Sequence, residues 1–585
     1  MLKLFKNLTR KEWLFVGISL IFIITQVWLD LKLPDYMSEI TMLVQTDGST
    51  MGEILTAGAK MLACALGSLI GSVIVAALAA KVATNFGARL RENIFDKVQS
   101  FAMEEINGFS TSSLITRSTN DIAQVQMLIV MGLQAMIKAP ILAAWAITKI
   151  SGKSWQWTMS TGIAVIFLAV VVGCCILIAL PKFKQLQKLT DGLNRVTREN
   201  LTGLKVIRAY NAEEYEQCKF ETANNELTST NLFANRTMAI IMPTISLVLS
   251  GLSLAIYWGG AVLINEASMM DKMTLFSDMV VFSSYAMQVV MAFMMLIMIF
   301  IMLPRATVSG KRILEVLDTK AKIMDGNITS SKTERKGEVE FRNVSFKYPD
   351  AEEYVIQNVS FTAKKGETVA FIGSTGCGKS TVVNLVPRFY DATEGEVLVD
   401  GINVKEYTQY ALRNKIGYVS QKATLFTGTI KSNVTYGDNG KKAFTPADIV
   451  EAVETAQAAE FVESKEDGYD SFVAQGGANL SGGQKQRISI ARAICRRPEI
   501  LIFDDSFSAL DYKTDRKLRE ALKKECKDAT KLIVAQRIGT IRDADQIVVL
   551  EDGGVVGIGT HEHLMKTCDV YQQIAYSQLS KEELA

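Results

Sequence analysis

Six stretches of this chain are apolar over about 20 residues or more, the length a helix needs to cross the ~30 Å core of a bilayer. They lie near Leu14–Leu33, Thr56–Ala80, Leu128–Ile150, Trp157–Leu180, Met238–Ile264 and Met279–Leu303. The first has the flavour of a secretory signal core, but it is too long and lacks a small-residue cleavage site, so it reads as a retained helix. All six precede residue 320. Residues 336–585 instead read as a soluble α/β domain. The averages of 49% hydrophobic residues and +0.18 mean hydropathy therefore conceal a split. The expected layout is a membrane domain over 1–320, a linker over 321–335 and a soluble domain over 336–585. With 9 prolines and this hydrophobic content, a disordered or collagen-like chain is excluded. A net charge of +2 gives no electrostatic case for nucleic acid. Eight cysteines without a CxxC pair suggest neither a disulfide framework nor a zinc site.

Basic residues between the spans set the expected sidedness. Residues 1–13, 81–127 and 181–237 hold 4, 5 and 9 Lys or Arg, whereas 34–55, 151–156 and 265–278 hold 0, 1 and 1. The N-terminus and the two long connections are expected to face the cytoplasm, in a multi-pass protein of the cell membrane. Those connections keep apolar residues at helical spacing (Val82, Phe86, Leu90, Ile94, Val98, then Phe183, Leu186, Leu189, Leu193). They read as membrane helices continuing into the cytoplasm. Breaks are expected near Asn107-Gly108 and within Leu201–Ala212, where Gly203 interrupts the pattern.

Two features inside the spans carry alternatives. Lys138 is an ionisable group in an apolar span, hence a functional hypothesis by default, or a snorkelling residue near the inner interface. Met287, Met291, Met294, Met298 and Met302 form a stripe on the last span, with Met295 beside it. This stripe reads either as packing filler or as an adaptable substrate wall.

The soluble half shows strand-like runs at Val339–Tyr348, Thr368–Ile372, Glu396–Val399, Ile416–Ser420, Ile500–Phe503 and Leu532–Ala535. Helices between several of them indicate one mixed α/β sheet. Gln546–Leu550 and Val555–Ile558 flank Asp552-Gly553, a hairpin signal. Between the strand at 368–372 and a helix running to Val386 lies Gly373-Ser374-Thr375-Gly376-Cys377-Gly378-Lys379-Ser380, followed by Thr381. This is a phosphate-binding loop in its required context. Its glycines let backbone N–H groups close on phosphate oxygens. Lys379 neutralises β/γ-phosphate charge, and Ser380 can hold Mg²⁺.

Further elements follow in order: Tyr348 upstream, then Gln421, Leu480-Ser481-Gly482-Gly483-Gln484, Asp504 and Ser508-Ala509-Leu510-Asp511. Together they resemble the nucleotide-binding domain of ATP-binding cassette (ABC) transporters, and six preceding helices with long extensions resemble the exporter branch. The resemblance implies a six-helix α-helical transmembrane domain with long cytoplasmic extensions, followed by an α/β P-loop nucleotide-binding domain. It implies ATP and Mg²⁺ as cofactors, with Tyr348 stacking on adenine and Asp504 holding Mg²⁺ through water. Gln421 would reach the metal and link the site to the membrane domain. Ser481, Gly483 and Gln484 would contact the γ-phosphate on an opposite subunit. The turns near Gly108–Arg117 and Leu204–Ala212 would be coupling helices.

Three departures from that family stand out. A Glu directly after Asp504 would be the general base, and here it is Asp505, shorter by roughly 1.5 Å. Misplacement by ~1 Å can cost on the order of 10²-fold in rate. The family's His after the strand at 532–535 is Gln536, which donates hydrogen bonds but carries no charge. Gln475-Gly476-Gly477 stands where many exporters carry Glu-Arg-Gly. Neither His561 nor His563, the chain's two histidines, is near Gln536 in sequence, and they read as the start of a surface helix rather than a metal site.

The expectation is one subunit of a heterodimeric exporter of amphipathic drugs or lipids. Its own nucleotide site is degenerate, and its intact signature completes the partner's consensus site. The partner, a second half-transporter, is expected to carry the altered signature. Rivals are a lipid or peptide exporter, and an ATP-gated channel or regulatory subunit. No peptidase-like stretch precedes the first span, which disfavours processing-coupled peptide export.

Overall fold

The computed structural model describes residues 2–46, 48–151, 155–268, 271–330, 335–349, 351–438 and 443–578. Residues 331–334 of the expected linker lie outside them. The chain forms two compact units: Met1–Lys97 with Ser112–Thr319, and Val98–Thr111 with Lys320–Ala585.

The helices are α1 (Leu2–Phe5), α2 (Arg10–Gln45), α3 (Met51–Gln99), α4 (Met103–Phe109), α5 (Thr111–Ser118), α6 (Asn120–Ser151), α7 (Trp155–Ala209), α8 (Glu213–Ala239), α9 (Ile241–Glu266) and α10 (Asp271–Asp318). Six helical segments are long and apolar enough to cross a membrane. At 1.5 Å per residue, the 49 residues of α3 span about 74 Å and the 55 of α7 about 82 Å, more than twice a bilayer core. These helices therefore extend well beyond any span. Pro34, Pro140, Pro181 and Pro304 all sit inside helices, which packed membrane helices tolerate.

The helix breaks fall beside or within the expected stretches, but not at the expected glycines. Asn107-Gly108 lies inside α4, and the chain turns at Ser110, with φ 57°. Gly203 continues α7 without interruption, and the turn comes at Asn211, with φ 52°. A single Gly costs a long helix only about 1 kcal/mol. Asn, by contrast, enters the left-handed region more readily than most residues, because its short polar side chain bonds locally.

Within the first unit, Thr9 and Glu12 form a capping box that starts α2. The Glu12 carboxylate also pairs with Arg89 of α3 at 2.5 Å. The core is built around Trp157, Phe282 and Tyr285, with Val27, Leu31, Val248 and Leu252. α6 and α10 pack against each other extensively and run antiparallel. Ser309 donates to Asp121 at 2.9 Å toward one end. Toward the other, Asp35 of α2 accepts from Lys149 at 2.9 Å and from the Tyr285 hydroxyl at 2.5 Å.

The Lys138 ammonium pairs with Asp30 of α2 at 3.0 Å. The methionine stripe of α10 is divided. Met291 and Met298 are 52% and 54% exposed, while Met287, Met294 and Met302 are partly buried and Met294 packs against the core.

The second unit holds β1 (Val339–Phe346), β2 (Ile356–Ala363), β3 (Thr368–Gly373), β4 (Glu394–Val399), β5 (Ile402–Asn403), β6 (Ile416–Val419), β7 (Gly428–Thr429), β8 (Phe472–Val473), β9 (Ile500–Asp504), β10 (Thr530–Val534), β11 (Gln546–Glu551) and β12 (Gly554–Gly559). The expected single sheet is in fact two main sheets. One is antiparallel with order β2-β1-β4-β5, and the other runs β12-β11-β3-β10-β9-β6. Strand β2, absent from the sequence reading, pairs with β1 and draws it away from the parallel sheet. In the second sheet β11, β3, β10, β9 and β6 are parallel, so their carboxyl ends share one edge. Asp552 and Gly553, at φ 45° and 81°, make the hairpin turn between β11 and β12.

Asn211→Gly should leave hydrogen-exchange protection across 205–216 unchanged. Asn211→Ile forces a β-branched residue to positive φ, at about 1–2 kcal/mol, and should raise exchange there.

Candidate functional site

Parallel pairing brings the expected residues together. Val419 pairs with Phe503, and Val534 with Asp504, so β6, β9 and β10 lie side by side. Their spacing is about 4.8 Å. Gln421 is two residues beyond Val419, Asp505 one beyond Asp504, and Gln536 two beyond Val534. Three side chains from distant parts of the sequence therefore meet at one sheet edge. Gln536 Nε2 donates to Asp505 Oδ2 at 2.8 Å, and Gln421 Nε2 donates to the same oxygen at 3.2 Å. Asp505 is buried, with φ 46°. Backbone held in that region stores strain and recurs at functional positions.

Strand β3 runs into the loop Gly373–Gly378 and then α11 (Lys379–Leu385). Gly378 has φ 93°, and a Cβ there would lie 2.5 Å from Ile356 Cγ2 and 2.9 Å from the Val355 carbonyl. Only glycine fits. Ser374, Thr375 and Gly376 are exposed at the crest, whereas Cys377 is buried beneath. The Lys379 ammonium donates to the carbonyls of Gly373 at 2.8 Å and Ser374 at 2.6 Å, which holds it against the loop.

Ser380 Oγ donates to Asp504 Oδ1 at 2.6 Å, and Tyr418 donates to Oδ2 at 3.3 Å. A hydroxyl beside a carboxylate is an oxygen donor set suited to Mg²⁺. Gln421, also expected near the metal, donates to Asp505, the residue beside Asp504. Burial pushes the Asp504 carboxyl above its ordinary 3.8; the Ser380 and Tyr418 hydroxyls pull it down, and the neighbouring Asp505 charge adds to the rise. Burial also raises the Tyr418 phenol, with the Asp504 charge acting the same way.

Tyr348 is half-buried, shares a hydrogen bond with Thr381 at 3.1 Å, and stands edge-on to Tyr390, with ring centres 5.3 Å apart. Ser481 and Gln484 bond each other rather than the loop. Ser481 Oγ accepts from the Gln484 N–H, and the Ser481 N–H donates to Gln484 Oε1, so the two cap the helix Gly482–Cys495. A Cβ at Gly483 would meet the Ala509 carbonyl at 3.4 Å. Gln475-Gly476-Gly477 forms a short turn with both glycines at positive φ.

Tyr418 was missed in the sequence because an aromatic in a strand reads as core. Its position two residues before the carboxyl-edge loop was the available clue. Gln486 was missed too; it donates to the Ser420 carbonyl at 3.3 Å and ties the signature helix to the Gln421 loop. His561 is buried and bonds the Tyr571 hydroxyl at 2.7 Å, so the expected surface helix start holds only His563 outside. The pair is not arranged as two ligands.

The segment Val98–Thr111 belongs to this second unit. Glu105 accepts from the Lys322 N–H at 2.9 Å, Glu104 pairs with the Lys322 ammonium, and Asn107 donates to the Tyr390 hydroxyl at 3.4 Å.

Comparison with known proteins agrees with this geometry. The ABC transporter family model matches residues 356–508, and that of the ABC transporter transmembrane region matches residues 16–320. An uncharacterized ABC transporter ATP-binding protein of Mycobacterium tuberculosis is 38% identical over 554 residues, 93% of each chain. One of Bacillus subtilis is 36% identical over 579 residues, 97% of each chain. An ATP-dependent lipid A-core flippase of Aromatoleum aromaticum is 30% identical, covering 88% of this chain and 84% of its own. The solved structure of a bacterial Atm1-family ABC exporter with ATP bound superposes with a TM-score of 0.80. It is 23% identical, over 97% of this chain and 98% of that one.

Substituting Asp504→Asn should raise the melting temperature at neutral pH while weakening Mg²⁺-dependent nucleotide binding. A raised folded pKa means the ionised form opposes folding. The gain should thus be full above that pKa, shrink as pH falls through it, and vanish below the ordinary 3.8. Melting curves at several pH values check the sign.

Proposed function

As a member of the ABC transporter family, and an ATP-hydrolysing exporter within it, this chain acts, we propose, as one subunit of a heterodimer whose own nucleotide site is degenerate. The carrying observation is the Asp505 carboxylate. It stands at the general-base position with a shorter side chain, and its Oδ2 already accepts two amide N–H groups. Both donors compete with an attacking water for that oxygen. Gln536, where a charged switch residue would serve, supplies a neutral donor.

Around that defect the binding elements are intact. Loop N–H groups and Lys379 would hold the phosphates, Tyr348 the adenine, and Ser380 with Asp504 the Mg²⁺. Bound ATP with Mg²⁺ supplies the free energy of closure and a γ-phosphoryl group open to attack by water. Ser481, Gly483 and Gln484 begin a 14-residue helix with an exposed N-terminus, a fitting anion partner for the opposite subunit. ATP is then hydrolysed mainly at the partner's site, which this signature completes.

The membrane domain covers 1–320, the linker 321–335 and the nucleotide-binding domain 336–585. The excess of Lys and Arg in the long connections supports a cytoplasmic N-terminus and nucleotide-binding domain. The turns near Gly108–Arg117 and Leu204–Ala212 would be the coupling helices that pass closure to the membrane helices. The substrate is an amphipathic drug or a lipid. Exposed methionines on α10 and the flippase named among the relatives support that class.

ATP turnover by the full chain in lipid tests the degenerate site. Wild type should bind ATP yet turn over slowly. Asp505→Glu/Gln536→His should raise the rate by on the order of 10²-fold. Robust wild-type turnover, unchanged in the double variant, would leave a homodimeric exporter instead.

A further inference from the structure

Residue 536 sits in a loop between two elements. Strand β10 ends at Val534, and a short helix, Ile538–Ile541, begins four residues later. Gln536 and Arg537 are exposed, so water could satisfy the backbone there. Protein groups hold the loop instead. The Gln536 side chain reaches Asp505, and the Arg537 guanidinium donates to the Ser508 carbonyl at 3.4 Å. A third hold comes from Gln578, at the C-terminal end of the helix Asp569–Gln578. Its Nε2 donates to the Gln536 carbonyl at 2.7 Å, and its Oε1 accepts from the Ile538 N–H at 2.8 Å.

One primary amide thus serves the two peptide groups that flank Arg537, as an adjacent strand would. The pairing also fixes the orientation of that amide, because a flipped Gln578 would set donor against donor and acceptor against acceptor. The helix that carries it is anchored upstream. Tyr571 and Ala575 are buried, and the Tyr571 hydroxyl bonds His561 at 2.7 Å. Residues 571, 575 and 578 are spaced i, i+4 and i+7, so the anchored face of the helix leads to Gln578. The helix packs against Ile538–Ile541, β11 and β3. Water could replace both hydrogen bonds at little cost. What water cannot supply is a fixed position for the loop, since it brings no anchor of its own.

We propose that Gln578 is a positioning residue for ATP hydrolysis: its amide holds the loop after β10, and so sets where the residue at 536 stands relative to position 505. This deepens the nucleotide-site reading and rests on it for the role of position 536. Gln578 acts only through the backbone it bonds. Misplacement by ~1 Å can cost on the order of 10²-fold in rate, so a loop freed from its clamp should lose catalysis. Folding should be spared. The helix is held by Tyr571 and Ala575, and the released carbonyl and N–H of the loop can turn to water. Position and stability are therefore separable at Gln578.

The test is ATP turnover by the full chain in lipid, in the wild type and in Asp505→Glu/Gln536→His, with melting temperatures measured alongside. Gln578→Met, which keeps side-chain length and removes both hydrogen bonds, is added to whichever background is faster. It should lower kcat by about tenfold or more, with KM for ATP and the melting temperature unchanged. Gln573→Met, at an exposed position of the same helix, should leave kcat alone. An unchanged kcat in Gln578→Met would overturn the inference. An equal fall in Gln573→Met, or a fall that comes with a lowered melting temperature, would make the helix a general support and also overturn it. If Gln578→Met does not fold, Gln578→Ala decides by the same criteria. A double variant no faster than wild type would sink the degenerate-site reading alone, and Gln578→Met in the wild-type chain would still decide this one.

Discussion

Strand β9 ends on Asp504 and is followed at once by Asp505, two adjacent carboxylates both buried at the edge of a parallel sheet. Buried carboxylates must find donors, and here each finds a different set. Asp504 takes the hydroxyls of Ser380 and Tyr418, so the end of β9 is tied to the phosphate loop. Asp505 takes the amides of Gln421 and Gln536, from the loops beyond β6 and β10. The phosphate loop and the loops that carry Gln421 and Gln536 are thus joined through two consecutive side chains. Asp505 and Gln536, the two departures from the family pattern noted in the sequence, bond each other and form one local arrangement.

Much of this was legible in the sequence because it is local. A glycine-rich loop between a strand and a helix declares itself by spacing, and the residues that match the family fall at fixed offsets from strand ends. The contact of Gln421 and Gln536 with Asp505 was not legible. It depends on β6, β9 and β10 being neighbours, which no local pattern states. Tyr418 was hidden for the same reason, since an aromatic in a strand serves a core equally well. Strand β2 escaped because its polar residues Gln357, Asn358 and Ser360 break the apolar run.

In the membrane unit the six helices were readable from length and apolarity, but their ends and polar contacts were less so. Gly203 looked like a break and is not one, because a long helix absorbs a single glycine. Asn211 looked unremarkable and takes the left-handed turn. Lys138 read as either a functional charge or a snorkelling one when α6 was considered alone. Its partner sits on α2, and only packing reveals that the charge is paired. Both units thus follow one rule. Residue type announces which groups need partners, and tertiary structure decides who the partners are.

The chemical consequence at the nucleotide site is most directly tested in a single turnover. The full chain would be loaded with γ-labelled ATP and Mg²⁺, freed of excess nucleotide, and its bound nucleotide analysed over time without any second subunit. Recovery of intact ATP long after binding is the expected result, because Asp505 and Gln536 bind each other where base and switch would act. Stoichiometric conversion to bound ADP on the timescale of an ordinary exporter cycle would contradict it.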